Sequence, residues 1–387
     1  MSVDWCEIRN EAYDAWRDAL AEAAATVRER VLVTAIHQHE APVVDPNAQR
    51  ILEDHAAEGS VCDNAFAARA LAAVVASLRE ALGRPPRTIT HLGIGRAKVD
   101  RVASNRRYPR RDGTIAYDRT SASHTAEAHD APEGTIDPWL TTLSFWDETE
   151  PVVALSHYAV HPMSYYGQGG ISADFIGHAR RARQRTLPDV VQVYASGCSG
   201  NVTAGKYNDG APANRPVLAA RMEQAMADAW AATERHPLER AVFRSVPLRF
   251  EPRHGPGFSA VELGARIDTD PARFGQCLAA LGLSWRLRTE TGEPVDLPVL
   301  DLGPAILALL PGEAYVEYQL RAQALRPDAV VIAMGYGESG TGYIPTALQV
   351  GEGDENLGDW CWVSETAEAV LMAGLAEALA PVTSPGR

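Results

Sequence analysis

An α/β fold is predicted, a single large domain with a mixed β-sheet flanked by helices. Three observations predict it. Apolar strand-like runs and amphipathic helical stretches alternate along most of the chain, the pattern of a sheet covered by helices. The 387 residues are 46% hydrophobic and 22% charged, which suits a globular protein with a substantial core. No repeat, low-complexity tract or composition shift marks a boundary, so residues 1–387 read as one domain.

The elements follow in order. Residues 8–27 are rich in Ala and Glu, with apolar positions spaced as on one helical face, and predict a helix. "RVLVTAI" predicts a buried strand leading into His37, residues 62–82 a long helix, and "RTITHLGIGRAKV" a strand. "TTLSFWDE" and "PVVALSHYAVHP" predict a strand pair turning at Glu148 to Pro151. "DVVQVYASG" is a further strand and residues 214–233 a helix. Beyond residue 240 come the strand "AVFRSVPLRFEPR", a helical stretch near 259–282 and the strand "LGPAILALLPGE". A helix from Glu313, the strand "AVVIAMGYG" and a helix near 363–380 complete the series. Residues 104–137, rich in Arg, Ser, Thr, His, Asp and Pro, predict a long mobile loop, and loops of that length are usually functional or disordered.

A formal net charge of −14 argues against a nucleic-acid or anionic-membrane partner. The five cysteines are odd in number, scattered and without a CxxC pair, which fits a reducing compartment. "MSVDWCEIRNEAYDAWRDAL" lacks the basic-then-apolar order of a secretory signal. No run approaches the ~20 apolar residues that span a bilayer. The expectation is a cytoplasmic protein with no membrane insertion.

Chemistry-bearing residues gather at the ends of the predicted strands. In "ERVLVTAIHQHEAPVVD", His37 and His39 would share one face of a strand, and neutral imidazole is a common zinc ligand. The pair alone is weak evidence, and on its own reads more readily as a polar strand end. His161 follows another apolar run, Glu313 a Pro-Gly turn, and Tyr336 and Tyr343 a Gly-rich turn. Glu313 at the first turn of a helix would also be favoured electrostatically without any site. Functional groups in open α/β sheets collect at the carboxyl ends of strands. "YASGCSGNVTAGKYND" matches neither GxGxxG nor GxxxxGK[ST]. Gly197, Gly200 and Gly205 allow positive φ and close backbone approach, so its amides and Thr203 could line a pocket, while glycine content alone reads as a flexible connection. His157 reads as structural, and Trp360 and Trp362 as core or pocket wall.

Taken together these stretches resemble the zinc-dependent neutral ceramidases. "VLVTAIHQHEAP" is similar to that family's His-Thr-His-Ser-Gly-Pro segment, "SNRRYP" to Asn-Arg-Ser-Pro, and "HYAVHPMS" to Phe-Ala-Thr-His-Gly-Thr-Ser. "ISADFIGHA", "LLPGE" and "GYIPT" match later segments in the family's order. The resemblance implies a neutral-ceramidase-like catalytic core holding one Zn2+ on His37, His161, Glu313 and Tyr343. It places His39 and Arg106 beside the reacting carbonyl, and puts Thr203 and Asn201 where the family has serine and aspartate.

The implied function is zinc-dependent amidohydrolysis, with zinc-activated water cleaving an amide (N-acyl) bond. The changed loop around Thr203, and the lack of room for the family's C-terminal immunoglobulin-like domain, point away from ceramide. They favour a small or medium polar amide. The same zinc site could instead form an amide or close a ring, and a catalytically inactive paralogue that binds a ligand is the third reading. Only 36 residues precede His37, most of them in the helical stretch, so either the sheet lacks an edge strand or the chain starts further upstream. A homo-oligomer is one way to cover the edge this would leave.

Overall fold

The computed structural model describes residues 1–381, arranged in four layers: helices, sheet, sheet, helices. The first sheet runs, in spatial order, Val191–Ser196, Glu150–Tyr158, Trp139–Asp147, His91–Lys98 and Glu234–Pro237. Its first pair is parallel and the others antiparallel. The second sheet runs Val242–Leu248, Val295–Asp301, Ala305–Leu309 and Val330–Met334, with only the last pair parallel.

Period-two alternation decides what each layer buries. Leu92, Leu143 and Ala195 point out of the first sheet to meet Leu307, Leu309, Ile332 and Met334 from the second. The opposite face of the first sheet, with Tyr158 and Tyr194, lies under the helices Asp174–Thr186 and Asn214–Ala231. The opposite face of the second, with Leu297, Ile306 and Val331, lies under Val316–Leu325 and Ala367–Ala378.

The fold class is as expected, but the single sheet is in fact two. Strands such as Ala305–Leu309 are buried on both faces, and an apolar run does not say whether a helix or another sheet covers it. Other departures have local causes. The helical stretch near 259–282 is two helices, Ala260–Thr269 and Arg273–Glu290, because Pro271 cannot continue the first. "RVLVTAI" forms a strand only at Thr34–Ala35. Val295–Asp301, with Pro298 inside it, is a strand the sequence did not suggest. Pairing with Ala305–Leu309 begins only at Val299, so the missing proline N–H costs nothing.

Two expectations about unpaired structure also fall. The residues before His37 do supply strands: Ser2–Val3 pairs with Thr34–Ala35, and Glu7–Ile8 with Val43–Val44, both in parallel. Residues 104–137, expected as a mobile loop, carry short strands and the helix Ala126–Asp130. Arg119, buried among them, donates to the carbonyls of Asn105, Ala128, Pro132 and Glu133. All five cysteines are free. Among the described residues no helix is long and apolar enough to cross a membrane.

Candidate functional site

At the carboxyl ends of Glu150–Tyr158, Val191–Ser196, Ala305–Leu309 and Val330–Met334, four chain segments converge on the turn that follows Thr34–Ala35. His37 lies in that turn, with φ +74°, so it and His39 meet through irregular backbone and not through strand alternation. The His37 N–H donates to Trp5 O at 2.9 Å. Its ring Nδ1 sits 3.0 Å from Cys6 O, and Tyr336 stacks on it at 4.2 Å between centroids, 16° from parallel.

His161 follows the strand Glu150–Tyr158. Its N–H donates to Val202 O at 2.9 Å, and Nδ1 lies 2.6 Å from Ser199 O. Glu313 is not in the first turn of a helix, as expected, but in the two-residue strand Glu313–Ala314, parallel to Tyr343–Ile344. Gly312 turns the chain into it at φ +55°, where a Cβ would come 1.9 Å from Thr341 Oγ1, so only glycine fits.

These segments bring three buried donors together. Glu313 Oε2 lies 3.2 Å from His37 Nε2 and 3.0 Å from His161 Nε2, and the three side chains form a group that could hold a metal ion. The fit is good on two counts. Ligands about 2.1 Å from a tetrahedral ion stand about 3.4 Å apart, close to the spacing seen. Both imidazoles turn Nδ1 onto a backbone carbonyl, which fixes the tautomer and leaves the Nε2 lone pair facing the centre. His37 Nε2 has no hydrogen-bond partner of acceptable geometry, a buried orphan that an ion would satisfy. Cys6, His37 and His39 form a second such group. It draws on the Cys6 side of the His37 ring, where Nδ1 is already engaged.

Electrostatics favour the ligand forms at two of the three positions. Burial pushes His161 down to about 4. Glu313 is held well below the usual carboxylate range, the two histidines prevailing over its burial. His37 is drawn well above the imidazole range, burial opposed and outweighed by Cys6 and Glu313. A bound cation would take the place of that proton.

Tyr343 and Arg106 share the same cavity, of about 550 Å3, with His37, His39 and Glu313. The Arg106 N–H donates to Asn201 O at 2.7 Å and its Nη1 to the Tyr343 hydroxyl at 2.7 Å, while Nε has no partner. His39 Nε2 is likewise buried and unpartnered. Burial, then the neighbouring His37 and His161, hold His39 well below the imidazole range, so it is neutral.

Thr203, expected among the catalytic residues, is not brought to the cavity. Its hydroxyl donates to Thr120 O at 2.7 Å and accepts from Gly205 N, and the side chain is fully buried. The surrounding glycine-rich loop is no flexible connection. Ser199 O, Val202 O and Asn201 O hold His161 and Arg106, and Asn201 Oδ1 accepts from Val316 N at the start of a helix. His157 is structural, its Nε2 3.0 Å from Ala333 O. Trp362 is core and Trp360 a cavity wall. Sequence reading missed the part played by Tyr336, whose hydroxyl meets Ser199 Oγ at 2.6 Å. Its place after an apolar run was the only signal.

Neither a protein-family model nor a curated protein sequence matches the chain. Solved structures do, two ceramidases among them. A neutral ceramidase from Pseudomonas aeruginosa aligns with a TM-score of 0.67 at 18% identity, covering 100% of this chain and 67% of that one. A ceramidase complexed with C2 aligns at 0.67 and 17%, covering 100% and 68%. At such identities the likeness is one of fold.

Proposed function

We propose that this protein is a zinc-dependent amidohydrolase that cleaves the amide bond of a small or medium polar N-acyl substrate, not ceramide itself. The observation that carries this reading is the buried His37–His161–Glu313 group opening onto a cavity that also holds Arg106 and His39. Zinc would be held by these three side chains, with Tyr343 beside them as the expected fourth ligand. When bound, the ion supplies Lewis acidity and lowers the pKa of water to about 7.

The chain's own residues supply the rest. Arg106, buried and positively charged, faces the carbonyl oxygen where negative charge develops, and a preorganised donor there is worth most in a site that excludes water. Tyr343 fixes the guanidinium through its 2.7 Å hydrogen bond. Neutral His39 accepts the proton of the attacking water at Nε2 and passes it to the leaving amine nitrogen. Thr203 acts in this scheme as a positioning residue through the carbonyl of Thr120, which lines the cavity. With its hydroxyl so engaged, water is the better nucleophile.

The test is metal content by elemental mass spectrometry together with acetate release from N-acetyl amides. About one zinc per chain, lost in both His161→Ala and Glu313→Ala along with activity, is expected. Stoichiometric zinc retained in both variants would overturn the ligand assignment.

A further inference from the structure

The cavity changes character between floor and mouth. On the floor, Arg106 Nε is buried without a partner, a donor that suits a ligand bringing an acceptor there. The mouth is lined by Glu355, Asp359, Trp360 and Phe274. Trp360 and Phe274 lie 6.0 Å apart between centroids, tilted at 56°, and Phe274 is 64% exposed. A large aromatic face left open to solvent beside carboxylates is chemistry that selects for a cation.

The charges around the mouth agree. Arg266 takes one oxygen of Asp359, at 3.1 Å. Among the described residues Glu355 forms no ion pair, and Arg106 is the sole lysine or arginine lining the cavity. The net charge of −14 adds a long-range field of the same sign. We infer that the cavity takes an amide whose far end carries an ammonium group, seated on Trp360 and Phe274 and countered by Glu355 and Asp359. This substrate class rests on the amidohydrolase reading of the floor. It goes beyond that reading by assigning specificity to the mouth.

Three acetamides of similar length test it: N-acetylputrescine, N-pentylacetamide and N-acetyl-4-aminobutyrate, which end in a cation, an apolar group and an anion. Binding to the zinc-loaded protein is followed by calorimetry, and cleavage by acetate release. The cationic amide should bind at least tenfold more tightly than the neutral one, about 1.4 kcal/mol, with the anionic amide weakest. That preference should shrink below threefold in Trp360→Leu and in the double variant Glu355→Gln, Asp359→Asn. Equal binding of the cationic and neutral amides, a preference that survives both variants, or no binding by any probe overturns the inference. Acetate release without charge preference would sink the specificity and leave hydrolysis standing. Charge-selective binding with no acetate release from any probe would do the reverse.

Discussion

His37 and Tyr336 both adopt left-handed backbone conformations, φ +74° and +58°, and stack face to face. Such conformations cost of order 1–3 kcal/mol each and persist only where the surroundings impose them. Here Trp5 O holds the His37 N–H, and Gly312 O holds that of Tyr336. The stack orients the ring that faces Glu313. Tyr336→Leu removes the stacking plane and the hydroxyl at Ser199, so on the proposed metal site the affinity for the ion should fall about 10–100-fold in a competitive chelator titration. Unchanged affinity would mean that the Cys6 carbonyl alone orients His37. Gly200 makes a parallel case, since a Cβ there would stand 2.2 Å from Glu313 O. Gly200→Ala should cost about 1–3 kcal/mol by overpacking, read as a lower urea midpoint, and should also weaken metal binding. The glycine-rich loop already allowed a close backbone approach, but that Glu313 is what approaches Gly200, and that Tyr336 takes a positive φ, both depend on distant segments.

At the scale of elements, the excursion at 104–137 is held around one side chain. Arg119 is fully buried and faces backbone carbonyls, with no carboxylate among its hydrogen-bond partners. Burial lowers its pKa to about 10, so it stays cationic at neutral pH. Arg119→Met removes this donor from the carbonyls of Asn105, Ala128 and Pro132, at about 1–3 kcal/mol for each left unsatisfied, while Glu133 O keeps the Asn105 N–H. Hydrogen exchange should then quicken across 104–137 and leave Val330–Met334 protected; uniform protection throughout would refute this anchoring. Composition made this segment look like loop, because nothing in a run of polar residues announces that one arginine will gather five backbone carbonyls. The long strands were legible for the opposite reason. Trp139–Asp147 and Glu150–Tyr158 carry their pairing partner next in sequence, with the turn at Glu148 in a left-handed conformation. Two-residue strands such as Glu313–Ala314 exist only through their distant partner, so Glu313 was placed in a helix that begins three residues later.

For the whole molecule, the cluster between the sheets is the feature that makes one unit of two. Ile332 is fully buried there with Leu92 and Leu143 from the other sheet. Ile332→Ala should cost about 2–5 kcal/mol. If the chain is a single domain, far-UV circular dichroism and tryptophan fluorescence should report one coincident transition in urea; two separated transitions would show that the sheets unfold independently. The four-layer arrangement also places the site. Strand ends from both sheets reach the same edge, where Gly197 bridges to Met334, so His161 from one sheet can face Glu313 from the other.

By itself the sequence determined the alternating elements, the donor types and which strand ends bear them. Periodicity and residue chemistry are local, so they survive without coordinates. The tertiary structure alone decided that there are two sheets, that Thr203 is held away from the cavity while Tyr336 supports the site, and that an aromatic and acidic mouth shares one cavity with His37, His39, Arg106 and Glu313. Each of these depends on which distant segments touch, and a side chain's partner across the fold leaves no mark on its neighbours in the chain.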